Sequence, residues 1–423
     1  MGRLARAQGR PAADAAALEA RLTSLSVHGR PAGGSFGDGV SRVAYSDADV
    51  AGRAYVTGLM SAAGLQPRVD PAGNIYGRRA SADASAPPVL FGSHIDSVPS
   101  GGNFDGDLGC LGALGVMEAL DRAAIRTRHP LEMVVWSAEE GVAFGRGLAG
   151  SRIVAGDIQP ADLAQVWNGM TRADAIRKIG GTPDRIAEAV RAKGSIHGYL
   201  ELHIEQGGTL EKRGVPIGVV EGIVSIQRYR ATVKGFANHA GTTPMAERQD
   251  ALVSASQLTI AVRDAVTSRP GRQVGTVGQL EVSPNAPNVI PGTVTLTIEL
   301  RDLSPDTLVA LADDIRARAA RIASSTKTTI EIVSLGGNPP ALASPDVQRV
   351  IERAAASARL DTVRLPSGAG HDAQMMAQLA PMGMIFVPSV GGISHSPKEL
   401  TAWADCANGA NVLLGAVLEL DGM

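Results

Sequence analysis

Residues 88–137 read PVLFGSHIDSVPSGGNFDGDLGCLGALGVMEALDRAAIRTRHPLEMVVWS, and the order of their apolar and glycine-rich parts decides the fold. The run 88–95 is short and apolar, 106–121 is rich in Gly, Ala and Leu and of helical length, and 131–137 is a second short apolar run. Strand, helix, strand predicts a parallel α/β sheet. The first strand runs straight into a glycine-rich loop, GSHIDSVPSGGNFDGDLG at 92–109, which is where such sheets carry their sites.

Moving outward, residues 226–334 read differently. Val294, Leu296, Ile298 and Leu300 alternate with Thr293, Thr295, Thr297, Glu299 and Arg301, the period-2 pattern of a strand buried on one face. Around it the pattern predicts a strand (228–234), a helix (246–266), a strand (274–283), a helix opened by Ser304-Pro305 and a strand (329–334). The order βαββαβ implies a small sheet with two helices on one face. Beyond about 338 the pattern returns to helix (345–358), apolar strand (382–387) and a long final helix (401–420). The expectation is one α/β domain, 1–220 and 338–423, interrupted by an inserted α+β domain at 221–337.

Composition narrows the function. With 423 residues, 40 basic against 42 acidic side chains and no basic block, the chain lacks the charge of a nucleic-acid binder or a polybasic membrane anchor. No apolar stretch is long enough for a membrane span, and MGRLARAQGR at the N-terminus is not followed by the apolar segment of a secretory signal. Two cysteines, Cys110 and Cys406, suggest a reducing compartment, so a cytoplasmic protein is expected.

The eight histidines point to chemistry through their company. His94 and Asp105 lie in the glycine-rich loop region, and Asp96 stands two residues after His94, a spacing that on a strand would let its carboxylate orient the imidazole. SAEEG (137–141) follows the second apolar strand; adjacent Glu139 and Glu140 on extended backbone point to opposite sides, so one can bind a metal while the other addresses a water. His203 in ELHIEQG (201–207) and His395 in GGISHSPKE (391–399) complete the set. Any one of these alone is more readily a hydrogen-bonded structural residue or a turn cap. Together, nitrogen and oxygen ligands at successive strand ends suit a borderline divalent ion such as zinc, manganese, cobalt or nickel. A bridging aspartate between two such sets would hold two ions about 3.5–4 Å apart.

With these motifs the chain resembles the amidase, hydantoinase and carbamoylase branch of the dinuclear metallopeptidase superfamily, which includes N-carbamoyl-L-amino-acid hydrolases, β-ureidopropionases and allantoate amidohydrolases. The resemblance runs from GVSR (39–42) and AGN (72–74) to the C-terminal helix, with HIEQG, ANHAGTTPM, APNVIPG and SGAGHDA in family order. It implies a mixed-sheet metallopeptidase-like catalytic domain and a ferredoxin-like insert serving as lid and dimerisation domain. It also implies two divalent metal ions per subunit on His94, Asp105, Glu140, His203 and His395, with Asp105 bridging, and Glu139 as general base. Ala143 in EEGVAFG departs from the Arg of many members.

The same resemblance gives the insert a share of the site. His239 (ANHAGTTPM, 237–245), Asn288 (APNVIPG, 286–292) and Arg301 (IELRD, 298–302) match positions that bind substrate and complete the site of the neighbouring subunit of a homodimer. The residue types suit those roles: Arg301 offers a planar fork to a carboxylate, Asn288 a hydrogen bond and His239 a donor to an oxyanion. Standing alone, Arg301 would read as the solvated side of its strand. Gln206 and Gly368 match substrate-contact positions, and His371 either shapes the pocket or holds its loop. The expected reaction is hydrolysis of the ureido amide of a small carboxylated molecule, foremost an N-carbamoyl-L-amino acid. Allantoate, ureidoglycolate and N-carbamoyl-β-alanine are the alternatives. A dipeptidase or aminoacylase would use the same metals on another amide. A non-catalytic homologue would have lost a ligand or Glu139, and neither is lost.

Overall fold

The structure is a computed structural model describing residues 11–423; the N-terminal stretch 1–10 read above lies outside the described residues. It divides into two units, one running to Gly222 and resuming at Leu342, the other Ile223–Ala341. In chain order the strands are β1 (Arg68–Val69), β2 (Ile75–Arg79), β3 (Val89–His94), β4 (Leu131–Trp136), a short hairpin β5 (Val166–Trp167) and β6 (Met170–Thr171), β7 (Gly198–Ile204) and β8 (Ile217–Ile223). The second unit contributes β9 (Ser225–Lys234), β10 (Val274–Ser283), β11 (Thr293–Asp302) and β12 (Thr329–Asn338). The return is β13 (Ala341–Leu342), β14 (Thr362–Ser367) and β15 (Met382–Val387).

In the first unit the sheet order is β1-β2-β4-β3-β7-β15-β8-β13, with β14 paired to β8. The centre, β4-β3-β7-β15, is parallel, while β2 joins β4 and β8 joins β15 antiparallel, so the sheet is mixed. β3, β4, β7 and β15 are buried at every residue, as parallel strands covered on both faces must be. Helix Asp107–Arg122 packs so closely that a Cβ on Gly109 would lie 2.3 Å from the Leu202 carbonyl oxygen, which explains the glycines in its sequence. It shares a core with helix Trp403–Asp421 and with the two N-terminal helices, Ala15–Leu25 and Asp47–Ala62. No helix among the described residues is long and apolar enough to cross a membrane.

The chain runs from β3 to β4 on one side and then to β7 on the other. The order of strands therefore reverses between β3 and β7, the kind of point at whose carboxyl ends open α/β sheets carry their sites. Phe91 pairs with Leu200; three residues further along each strand stand His94 and His203.

The second unit is an antiparallel sheet of order β10-β11-β9-β12 with helices Ala251–Thr267 and Pro305–Thr326. Both helices pack on the face that carries Ala231, Val233, Val294, Leu296, Ile298 and Leu300, which forms a core of its own. The element order is βαββαβ, and the alternation read in 293–301 is the burial pattern of β11.

Candidate metal centre

Every acidic and imidazole candidate of the first unit converges at the carboxyl ends of β3, β4, β7 and β15. His94 ends β3 and His203 is the penultimate residue of β7. The Nδ1–H of His94 donates to the Asp96 carbonyl at 3.0 Å, and that of His203 to the Ile204 carbonyl at 2.9 Å. With Nδ1 so engaged, each ring presents the Nε2 lone pair. Both Nε2 atoms face Asp105 Oδ1, at 3.6 Å and 3.0 Å. The other oxygen, Oδ2, faces His395 Nε2 at 3.3 Å, and the same Nε2 lies 3.4 Å from Glu140 Oε2. Among the described residues three groups have their ligand atoms within 4.8 Å of one another, His94/Asp105/His203, Asp105/Glu140/His395 and Glu201/His203/His371; the first two share the Asp105 carboxylate, and the third shares only His203 with the first.

Electrostatics favour cations here. Glu139, 8% exposed, has its carboxyl held well above the usual range by burial, with Glu140, Asp372 and Asp96 adding to the effect. Burial and Asp105 push Glu140 up to about 7. Against burial, the imidazoles of His203, His395 and His94 hold Asp105 well below the usual carboxylate range. The hydrogen bond to Asp105 raises His395 to about 9. None of the ion pairs of Asp105, Glu139 or Glu140 among the described residues involves Lys or Arg. His203 Nε2 and Glu140 Oε1 are buried without a hydrogen-bond partner, as atoms awaiting a ligand would be. Imidazole nitrogens and carboxylate oxygens in this arrangement are donors that fit a borderline divalent metal.

Glu139 belongs to none of these sets but lies beside one of them, its Oε2 3.7 Å from His94 Nε2. The backbone explains why neighbours diverge. β4 ends at Trp136, Ala138 takes φ 53° and Gly141 φ 72°, so 137–141 is a bent loop rather than the extended segment the sequence suggested.

That loop also corrects the role of Asp96. Its carboxylate does not orient His94, whose Nδ1 is 3.8 Å from Asp96 Oδ1. It accepts instead from the backbone N–H of Glu139 at 3.0 Å and of Glu140 at 3.2 Å. The strand ends at His94, so the same-face spacing does not extend to residue 96. Asp96 serves the glutamates through its side chain and His94 through its backbone.

Gln206, at φ 58°, directs Nε2 to Asp105 Oδ2 at 2.7 Å, so it sits within the cluster. His371 is buried with Nε2 2.9 Å from Ser367 Oγ, and its ring meets that of His203 edge-on at 4.4 Å; burial, then His203, holds it well below the usual imidazole range. It is therefore a neutral ring set against His203. Gly368 lies in the same loop, where a Cβ would meet nothing within 4 Å. Ala143 is buried among Tyr45, Ala138 and Ala149.

Several residues the sequence reading passed over brace this cluster. Arg42, 1% exposed, donates to the carbonyls of Ile95, Leu25 and His28 and pairs with Asp107, linking both ends of the glycine-rich loop. Glu201 accepts from Ser93 Oγ at 2.8 Å and from the N–H of Ala373 at 2.9 Å. Glu399 accepts from the N–H groups of Phe104 and Asp105. The motifs already quoted, GVSR, ELHIEQG and GGISHSPKE, contained all three. Gly106, at φ 67°, has no room for a side chain, since a Cβ would lie 2.5 Å from His94 Cε1.

In the second unit, described by itself, His239 and Asn288 come together. His239 bridges to Val289, and the N–H of Ala240 donates to the Asn288 carbonyl at 3.0 Å. His239 Nδ1 accepts from the N–H of Gly241 at 3.0 Å and of Thr242 at 3.2 Å, which leaves the ring proton on the exposed Nε2. Arg301 is not with them. His239 and Asn288 adjoin the end of β11 where Thr293 pairs with Lys234, whereas Arg301 pairs with Ile226 at the other end. Eight residues of strand separate the two ends by about 27 Å. Arg301 is paired with Glu299 at 2.6 Å, and Glu299 also takes Arg228 at 2.7 Å.

Comparison with known proteins accords with this geometry. Residues 90–419 match the model of peptidase family M20/M25/M40. The chain is 39% identical over 401 residues to an N-carbamoyl-L-amino acid amidohydrolase of Geobacillus stearothermophilus, covering 95% of this chain and 97% of that one. It is 36% identical over 413 residues to a ureidoglycolate hydrolase of Arabidopsis thaliana, covering 95% and 85%. Its fold superposes on a crystal structure of a hydantoinase/carbamoylase family amidase from Burkholderia multivorans with a TM-score of 0.91 at 35% identity, covering 98% and 100%.

Proposed function

The chain belongs to peptidase family M20/M25/M40, among its hydantoinase/carbamoylase amidases, and from that premise we propose that it hydrolyses the ureido amide of a small carboxylated substrate, foremost an N-carbamoyl-L-amino acid. The observation that carries this reading is the pair of donor sets sharing Asp105, with Glu139 beside them and outside both. His94 and His203 with Asp105 would hold one divalent ion, and Glu140 and His395 with Asp105 the other, zinc or one of manganese, cobalt and nickel. When bound, the pair supplies Lewis-acid polarisation of the carbonyl and acidifies water.

This chain's own residues do the rest. Glu139 accepts the proton of the attacking water and returns it to the departing nitrogen, which breaks one C–N bond of the ureido group; the carbamic acid that remains then loses carbon dioxide, so that the overall products are ammonia, carbon dioxide and the amino acid. Asp96 keeps the backbone of Glu139 and Glu140 in place through its two carboxylate oxygens. The Nε2–H of His239 donates to the developing oxyanion, and Asn288, Arg301, Gln206 and the loop of Gly368 and His371 receive the substrate. The insert acts as lid and dimerisation domain. Because His239 with Asn288 and Arg301 occupy opposite ends of one sheet, one copy of the insert cannot bring all three to one small substrate. Arg301 therefore comes from one subunit and His239 with Asn288 from the other. Phe236 and Met245, 62% and 76% exposed on either side of His239, suit burial against a second copy. Cys110 and Cys406 are buried and unpaired, in keeping with a cytoplasmic enzyme.

A second reading, ureidoglycolate as substrate, draws on the likeness to the Arabidopsis relative. Ammonia release by the metal-loaded protein from N-carbamoyl-L-amino acids, N-carbamoyl-β-alanine, allantoate and ureidoglycolate separates the substrates. Cleavage of a dipeptide or an N-acetyl amino acid, with no ammonia from any ureido compound, would overturn the proposal.

A further inference from the structure

The Glu399 carboxylate joins two ligand-bearing loops that are far apart in sequence. Its Oε1 accepts from the backbone N–H of Phe104 at 3.0 Å and of Asp105 at 3.1 Å, and its Oε2 from Ser394 Oγ at 2.8 Å. Ser394 Oγ also lies 3.1 Å from Asp105 Oδ2, and Ser394 directly precedes His395. The side chain is 3% exposed, and the chain makes room for it at a specific place: a Cβ on Gly102 would lie 2.1 Å from Glu399 Oε1 and 2.2 Å from its Cδ. We propose that Glu399 is a positioning residue that sets the distance between Asp105 and His395, and so the affinity of the Asp105/Glu140/His395 set for its ion, through hydrogen bonds rather than through charge.

The physical case is the cost of holding two loops in register. Asp105 must present its two oxygens to different imidazoles, so rotation of its peptide would spoil both donor sets together. Accepting from the Asp105 N–H fixes that peptide, and accepting from Ser394 ties the same carboxylate to the His395 loop, where His395 itself takes φ 53°. Hydrogen-bonding partners that orient ligands are worth about 10–100-fold in metal affinity. Glutamine at 399 would keep an acceptor for both N–H groups and offer a donor to Ser394, whereas alanine would keep neither.

This inference rests on the two-ion reading, and the experiment separates the two. Metal-free protein is titrated with Co²⁺ against a chelating indicator, and the two stepwise affinities are read for each variant alongside the unfolding midpoint of the metal-free form. If the native chain fails to bind two ions, the two-ion reading falls. Given two ions, Glu399→Ala is expected to weaken one step by about 10–100-fold, and Glu399→Gln to stay within about 3-fold of native. Gly102→Ala, which keeps the charge of Glu399 but displaces its carboxylate, should resemble Glu399→Ala. If Glu399→Ala does not fold, Gly102→Ala and Glu399→Gln carry the test. Native affinities in Gly102→Ala, or equal losses in Glu399→Gln and Glu399→Ala, would overturn the inference.

Discussion

Replacing Glu139 by Gln removes a proton acceptor while leaving a side chain of the same length beside His94. Activity is expected to fall by about 10²-fold or more, the usual scale for loss of a general base, with bound metal unchanged by elemental analysis. Loss of metal from this variant, with Glu140→Gln retaining it, would mean the two roles are reversed. At this scale the candidate ligands were legible only as a group: any one alone reads as a structural residue or a turn cap, and it is the set at successive strand ends, within the family's motifs, that points to a metal. Asp96 was legible as a participant but not in its role, because the period-2 argument holds only while the strand continues. Glu399 and Arg42 were not legible as braces. Glu399 meets the Phe104 N–H across 295 residues of sequence, and such a bond leaves no periodic trace.

The alternation of Val294, Leu296, Ile298 and Leu300 reappears as one face of β11, buried to 0–1%. Strands whose faces differ announce themselves; fully buried strands announce themselves by apolar runs, as β15 does throughout and as β3 and β4 do apart from Ser93, His94 and Glu132. The short β1 and β2 carry neither signal, so the mixed character of the sheet was implied by the resemblance and not by the pattern of these strands. The helix expected at 246–266 begins at Ala251, where Asp250 caps it by accepting from Leu252 and Val253 N–H. Because the second unit has its own core, Leu296→Ala should destabilise it by about 2–5 kcal/mol. Denaturant unfolding of the metal-loaded protein checks this, and metal content of the folded fraction should stay native, since every proposed ligand lies in the first unit.

At the scale of the whole molecule, the separation of His239 from Arg301 along β11 predicts how defective chains complement one another. Mixing His239→Ala with Glu139→Gln should restore roughly a quarter of native activity, because random exchange makes about half the dimers mixed, each with one intact site. His239→Ala mixed with Arg301→Ala should also recover activity, whereas Arg301→Ala with Glu139→Gln should not. Recovery in this last pair alongside none in the second would place Arg301 and His239 on the same side of the interface. The resemblance implied a shared site, and the register of β11 is what motivates the proposal that its members come from different subunits.

The claim on which the rest depends is that two ions, held across Asp105, are needed for ureido hydrolysis. Stripped protein should be titrated with a divalent metal and ammonia release from an N-carbamoyl-L-amino acid followed at each ratio. The rate should rise from near zero and level off at two ions per chain. A plateau at one ion, or ammonia release that persists after the metal is removed, would contradict it.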